Sequence, residues 1–123
     1  MQQIMNIIQR KPDNFVVISG DDAITLPLLA VGIDGLISVI GNAFPKQMSE
    51  MVHQALAGNF TEAKRYHDQL FDIMYASIKE GNPAGIKAIL ALQGKMEYYL
   101  RLPLSRVSSA LQNEYKELMN GLL

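Results

Sequence analysis

The sequence predicts an α/β fold: the closing stretch of a parallel α/β barrel followed by an appended helical segment. Three observations carry this. Phe15–Ile18 and Leu36–Ile40 are short apolar runs with a helix-length stretch between them, the order of a βαβ unit with parallel strands and a right-handed connection. Apart from Ser38, neither run alternates with polar residues, which suits parallel strands covered on both faces. No third convincing strand follows Ile40, and helical patterns fill the remainder. The alternative is a small domain of two strands and many helices. A lone pair of buried-type strands leaves both edges open, however, and this favours the end of a larger parallel α/β protein. On that reading residues 1–58 are the barrel end and residues 59–123 the helical segment.

Gln2–Arg10 places Ile4, Ile7 and Ile8 on one helix face, and Lys11-Pro12-Asp13-Asn14 ends it. The Phe15–Ile18 strand comes next. Asp21 or Asp22 can cap a crossover helix over roughly Ala23–Val31, with Pro27 in its first turns and Gly32 as its stop. Asp34-Gly35 turns the chain into the Leu36–Ile40 strand. Pro45 opens a helix that stacks Met48, Met51, Val52, Ala55 and Leu56, and Gly58-Asn59 closes it. Thr61 is read as the cap of a long helix to about Glu80, its inward face holding Ala63, Tyr66, Leu70, Ile73, Met74 and Ile78, with Gly81 as stop. Asn82-Pro83 starts a helix carrying Ile86, Ile89, Leu90 and Gln93 along one side, broken at Gly94. Residues 95–107 read as an apolar extended connection. Ser108 or Ser109 then caps a last helix with Leu111, Tyr115, Leu118, Met119 and Leu122 on one face.

Composition narrows the function. The 123 residues are 49% hydrophobic and 19% charged, which suits a packed core and argues against disorder. Basic and acidic residues are well mixed and sum to −1, with no basic stripe, so nucleic acid is not an expected partner. The absence of cysteine excludes disulfides and thiolate metal sites and fits a reducing compartment. No stretch has the apolar length of a membrane span, and Met1-Gln2-Gln3-Ile4-Met5 lacks the features of a signal peptide. A cytoplasmic protein is the expectation.

Ligands of parallel α/β units gather beyond the carboxyl ends of the strands, which sets Ser19–Asp22 beside Ser38–Asn42 as one potential site. Asp21-Asp22 is the only paired carboxylate at a strand end; helix capping is its ordinary role and acid–base chemistry the alternative. These carboxylates have no nearby cation, so phosphate is disfavoured there. His53 and His67 have no metal-ligating neighbour at i+3 or i+4, and a solvated or packing role is expected of both. No lysine falls at a strand end; Lys87 comes closest to an apolar setting, and its neighbours suit packing or ion pairing. P-loop, dinucleotide and serine-elbow motifs are absent. Gly20 and Gly41 permit close approach to the backbone, and the carbonyls of Ile37 and Ser38 lie near a strand end. These are the features of a pocket wall whose chemistry is supplied from elsewhere.

Val17-Ile18-Ser19-Gly20-Asp21-Asp22, Leu26-Pro27-Leu28-Leu29 and Gly35-Leu36-Ile37-Ser38-Val39-Ile40-Gly41-Asn42 closely resemble the seventh and eighth strands of the dihydrodipicolinate synthase family. Asn82-Pro83-Ala84-Gly85-Ile86-Lys87 and Leu100-Arg101-Leu102-Pro103-Leu104 look like two signatures of its C-terminal helices. The wider family includes N-acetylneuraminate lyase and other pyruvate-dependent aldolases; the Ile-Ser-Val, Gly-Asn and Arg-Leu-Pro segments look more like the synthase.

The resemblance implies a (β/α)8 TIM barrel with extra C-terminal helices, assembled as a dimer or tetramer. It implies a lysine Schiff base with pyruvate that condenses with aspartate semialdehyde on the route to lysine and diaminopimelate, without cofactor or metal. Ile37 matches the residue whose main-chain carbonyl faces pyruvate, and Gly20 matches a pocket-lining glycine. The Schiff-base lysine, in a Lys-Glu-Ala motif, belongs to the strand before this chain begins, so no catalytic residue is carried over and the chain alone is expected to be inactive. A non-catalytic helical interaction module is the reading from another class; it predicts a cooperatively unfolding monomer or dimer, where an incomplete barrel self-associates.

Overall fold

The computed structural model describes residues 1–122. Its elements run α1 (Gln2–Arg10), β1 (Ile18–Ser19), α2 (Thr25–Ala30), β2 (Gly35–Leu36), a short 3-10 turn (Ile40–Asn42), α3 (Pro45–Leu56), α4 (Phe60–Ala76), α5 (Ala84–Leu92) and α6 (Ser109–Met119). β1 and β2 pair in parallel, Ile18 with Gly35 and Ser19 with Leu36. Strand, helix and parallel strand therefore follow in the order the sequence predicts, and the described residues are otherwise mostly helical.

The strands are much shorter than their apolar runs. Upstream, the chain folds back on the loop: the Phe15 N–H donates to the Pro12 carbonyl, and Lys11 Nζ donates to the Phe15 carbonyl at 2.7 Å. Asp34 extends the ladder by one rung, its N–H donating to the Val17 carbonyl while its Oδ2 accepts from the Val17 N–H. Downstream, the Ser38 hydroxyl accepts from the Gly41 N–H at 2.7 Å and turns Val39–Asn42 out of the extended conformation. Nor are both strand faces covered: Val16 is 65% and Ile37 72% exposed, whereas Ser19 and Ile40 are buried.

Turn chemistry accounts for most helix ends. Gly32 closes α2 at φ +100°, a conformation that side chains rarely adopt, and the Ile33 N–H returns to the Leu28 carbonyl. Pro45 opens α3, and the Ser108 hydroxyl caps α6 by accepting from the Leu111 N–H at 3.2 Å. Glu80 joins that cap, its carboxylate accepting from both the N–H and the hydroxyl of Ser108.

Four expected details change. Neither Asp21 nor Asp22 caps α2, whose N-cap is Ile24 with no side-chain bond. Thr61 lies inside the first turn of α4, with Asn59 at the N-cap, again without a side-chain bond. α4 ends at Ala76, where the Ser77 hydroxyl turns back to the Met74 carbonyl, so Ile78 swings out to solvent. On α1, Ile4 and Ile8 face the protein while Ile7 points away.

The larger core gathers Ile40, Phe44 and Met51 with Leu70, Ile73, Ile89, Leu111 and Tyr115, drawing on both sides of residue 58. A smaller one places Leu28, Leu29 and Ile33 against Ala55 and Ala63. α5 is the most enclosed helix: Ala84, Gly85, Ile86, Ala88 and Ile89 are all buried. Among the described residues, no helix is long and apolar enough to cross a membrane.

Candidate functional site

Gly20 and Ile37 are the residues immediately after the paired Ser19 and Leu36, so the ladder brings them to the same end of the two strands. The Ile37 N–H continues the pairing, donating to the Ser19 carbonyl at 3.0 Å. Among the described residues the Ile37 carbonyl accepts no hydrogen bond. Gly20 is open: a β-carbon there would meet nothing within 4 Å.

Beneath this end lies a small polar knot. The Ser19 and Thr25 hydroxyl oxygens are 2.9 Å apart, and each reaches the Asp21 carbonyl, at 3.0 and 2.6 Å. Ser19 Oγ also accepts from the Asp21 N–H, and Asp21 Oδ1 from the Ala23 N–H. Such short-range side-chain bonds fix the loop in place of a helix cap.

Asp22 does something the sequence reading missed. Its Oδ2 accepts from the N–H groups of Val39 (3.1 Å) and Ile40 (2.9 Å), joining the loop after β1 to the turn after β2. Its Oδ1 is buried without a partner among the described residues. From the far side, Lys95 Nζ and Gln93 Nε2 both donate to the Ala43 carbonyl, at 3.0 and 3.3 Å. The turn after β2 is thus held from β1 and from the end of α5. No local pattern announces bonds that span 17 to 52 residues; only the pairing of the two strand ends hinted at the first.

A cleft of about 200 Å³ opens here, lined by Gly20, Asp21, Asp22, Val39, Met74 and Ile78 among others. A larger groove, about 590 Å³, runs along α1 to Phe15 and touches neither strand end, so its size does not make it the site.

The other singled-out residues lie elsewhere. His53 is exposed and sits 3.4 Å from the Ser49 hydroxyl. His67 packs against Phe71, ring centroids 5.2 Å apart. Burial holds its imidazole below the usual pKa, with Asp68 opposing and Lys64 assisting that shift. Lys87 is half-buried and forms no ion pair among the described residues; its Nζ donates to the Tyr99 carbonyl at 2.9 Å. Among the described residues, no three His, Cys, Asp or Glu side chains come together as a metal site.

The sequence model of the dihydrodipicolinate synthetase family matches residues 1–122. The 4-hydroxy-tetrahydrodipicolinate synthase of Koribacter versatilis is 46% identical over 104 residues, covering 85% of this chain and 35% of that protein. The synthase of Phocaeicola vulgatus is 44% identical over 120 residues, 98% of this chain and 40% of its own length. The crystal structure of dihydrodipicolinate synthase from Aquifex aeolicus superposes with a TM-score of 0.94 at 35% identity, over 98% of this chain and 41% of that one. The chain therefore spans about two-fifths of the length of such relatives. It belongs to the dihydrodipicolinate synthetase family.

Proposed function

We propose that this chain is the C-terminal portion of a dihydrodipicolinate synthase-like (β/α)8 barrel. Residues 1–58 supply its last two strands and their helices, and residues 59–123 the C-terminal helical segment. The assembled enzyme is a class I, Schiff-base lyase that condenses pyruvate with aspartate semialdehyde in lysine and diaminopimelate biosynthesis. It works in the cytoplasm as a homodimer or homotetramer. The observation that supports this most directly is the family match over residues 1–122, in which the strand ends carrying Gly20 and Ile37 lie side by side.

In this reading the chain builds one wall of the pyruvate pocket. The Ile37 carbonyl, an acceptor that does not titrate, faces the bound keto acid, and Gly20 leaves room beside it. The imine requires a neutral amine that attacks the keto carbon and expels water. No lysine of this chain lies at either strand end, so the amine comes from a preceding strand and the chain alone is inactive.

The test is turnover by a hybrid in which the upstream segment of the Aquifex aeolicus enzyme precedes this chain. Consumption of aspartate semialdehyde in the presence of pyruvate is expected. Cleavage of N-acetylneuraminate instead would assign the wall to a lyase, and a hybrid that folds but does neither would overturn the proposal.

A further inference from the structure

We propose that Asp22 is a positioning residue for the pyruvate pocket, acting through the backbone to set the direction of the Ile37 carbonyl. This rests on the Schiff-base reading above. Ile37 is fixed on its amino side by its own N–H, which donates to the Ser19 carbonyl at 3.0 Å. Two residues later the chain is fixed again, where Asp22 Oδ2 takes the N–H groups of Val39 and Ile40. Only the Ile37 carbonyl and Ser38 lie between these two anchors, so the peptide that carries the carbonyl has little freedom left.

The carboxylate is chemically suited to this. Bonds from N–H groups to an ionised oxygen are about twice as strong as neutral ones. The Asp22 side chain is also not engaged by its own helix, since α2 begins at Thr25 without a side-chain cap. Truncating it strands two N–H groups beside a buried oxygen site and frees the turn at the pocket side. The opposite side stays held, because Gln93 and Lys95 grip the Ala43 carbonyl independently. Loss of Asp22 therefore displaces the carbonyl while leaving the packed helices in place.

The experiment uses the hybrid with the Aquifex aeolicus upstream segment and compares Asp22→Ala and Asp22→Asn with the unsubstituted protein. Loss of a bond to a charged group predicts that Asp22→Ala raises the pyruvate KM about tenfold and leaves the aspartate semialdehyde KM within about twofold. Asp22→Asn keeps a neutral acceptor and returns the pyruvate KM to within about threefold of the original, still measurably raised. A fall in melting temperature with an unchanged pyruvate KM would make Asp22 merely structural and overturn the proposal. Should Asp22→Ala not fold, an unchanged pyruvate KM in Asp22→Asn overturns it equally. Failure of the unsubstituted hybrid to form a borohydride-trapped pyruvate adduct is a separate result, which removes the Schiff-base reading and the role of Asp22 with it.

Discussion

The backbone of Gly85 lies so close to Ser77 that a β-carbon added there would stand 1.8 Å from the Ser77 carbonyl oxygen. The first turn of α5 thus rests directly on the end of α4, and Tyr115 of α6 closes the third side, its hydroxyl 2.8 Å from the same point. In an open helix, alanine in place of glycine stabilises by about 1 kcal/mol. Here backbone must move, and overpacking outweighs that gain. Gly85→Ala is expected to destabilise by about 2–3 kcal/mol, read as a lower urea midpoint. A neutral or stabilising effect would mean that the two helices are not in contact.

Tyr115 adds a pH dependence. Its hydroxyl donates to the Ala76 carbonyl at 3.1 Å in a fully buried position. Burial first, then Tyr98, Glu80 and Glu114, raise its pKa above the usual tyrosine value. A raised pKa means that the folded state keeps its proton where the unfolded state loses one. The stabilisation is complete below about pH 10 and declines as pH rises beyond it. Urea midpoints measured across that range should fall in the native protein and fall less steeply in Tyr115→Phe. That variant should be less stable at neutral pH by about 1 kcal/mol for the lost hydrogen bond. Parallel alkaline slopes in the two proteins would contradict this.

The exposed strand faces predict self-association. Phe15, Val16, Ile18 and Ile37 all lie on the surface around a two-stranded sheet whose outer edges are unpaired among the described residues. Exposed apolar edges of this kind seek partners. Sedimentation should show the 123-residue chain associating with rising concentration, and the double variant Val16→Lys, Ile37→Lys shifting it towards monomer. An ideal, cooperatively unfolding monomer of the unaltered chain would favour a free-standing helical module.

Local rules made much of this fold legible. Pro45, Gly32 and Ser108 mark helix boundaries because each acts through its own backbone or its near neighbours, whereas Gly81 lies beyond the end of α4 at Ala76. The parallel strand order follows from two apolar runs and a connection too long for a hairpin. Strand length was not legible. Phe15 and Val16 carry the composition of a covered strand, yet only Val17–Ser19 find partners among the described residues, so hydrophobicity overstated the ladder. The same limit hid the role of Asp22. An aspartate three residues before a helix resembles a cap, and only folding shows that its carboxylate reaches Val39 and Ile40 instead. That Gly20 and Ile37 share one end of the two strands follows from strand order, whereas the grip of Gln93 and Lys95 on Ala43 depends on how α5 packs.

As proposed, this chain walls a Schiff-base pocket without supplying its amine. The most direct test is intact-mass spectrometry after incubation with pyruvate and borohydride, performed on the chain alone and on the hybrid with the Aquifex aeolicus upstream segment. The account predicts that the 13.7 kDa chain stays unmodified, while the hybrid gains one reduced pyruvate adduct that peptide mapping places upstream of Met1. An adduct on a lysine of this chain, with Lys87 the first to map, would contradict it.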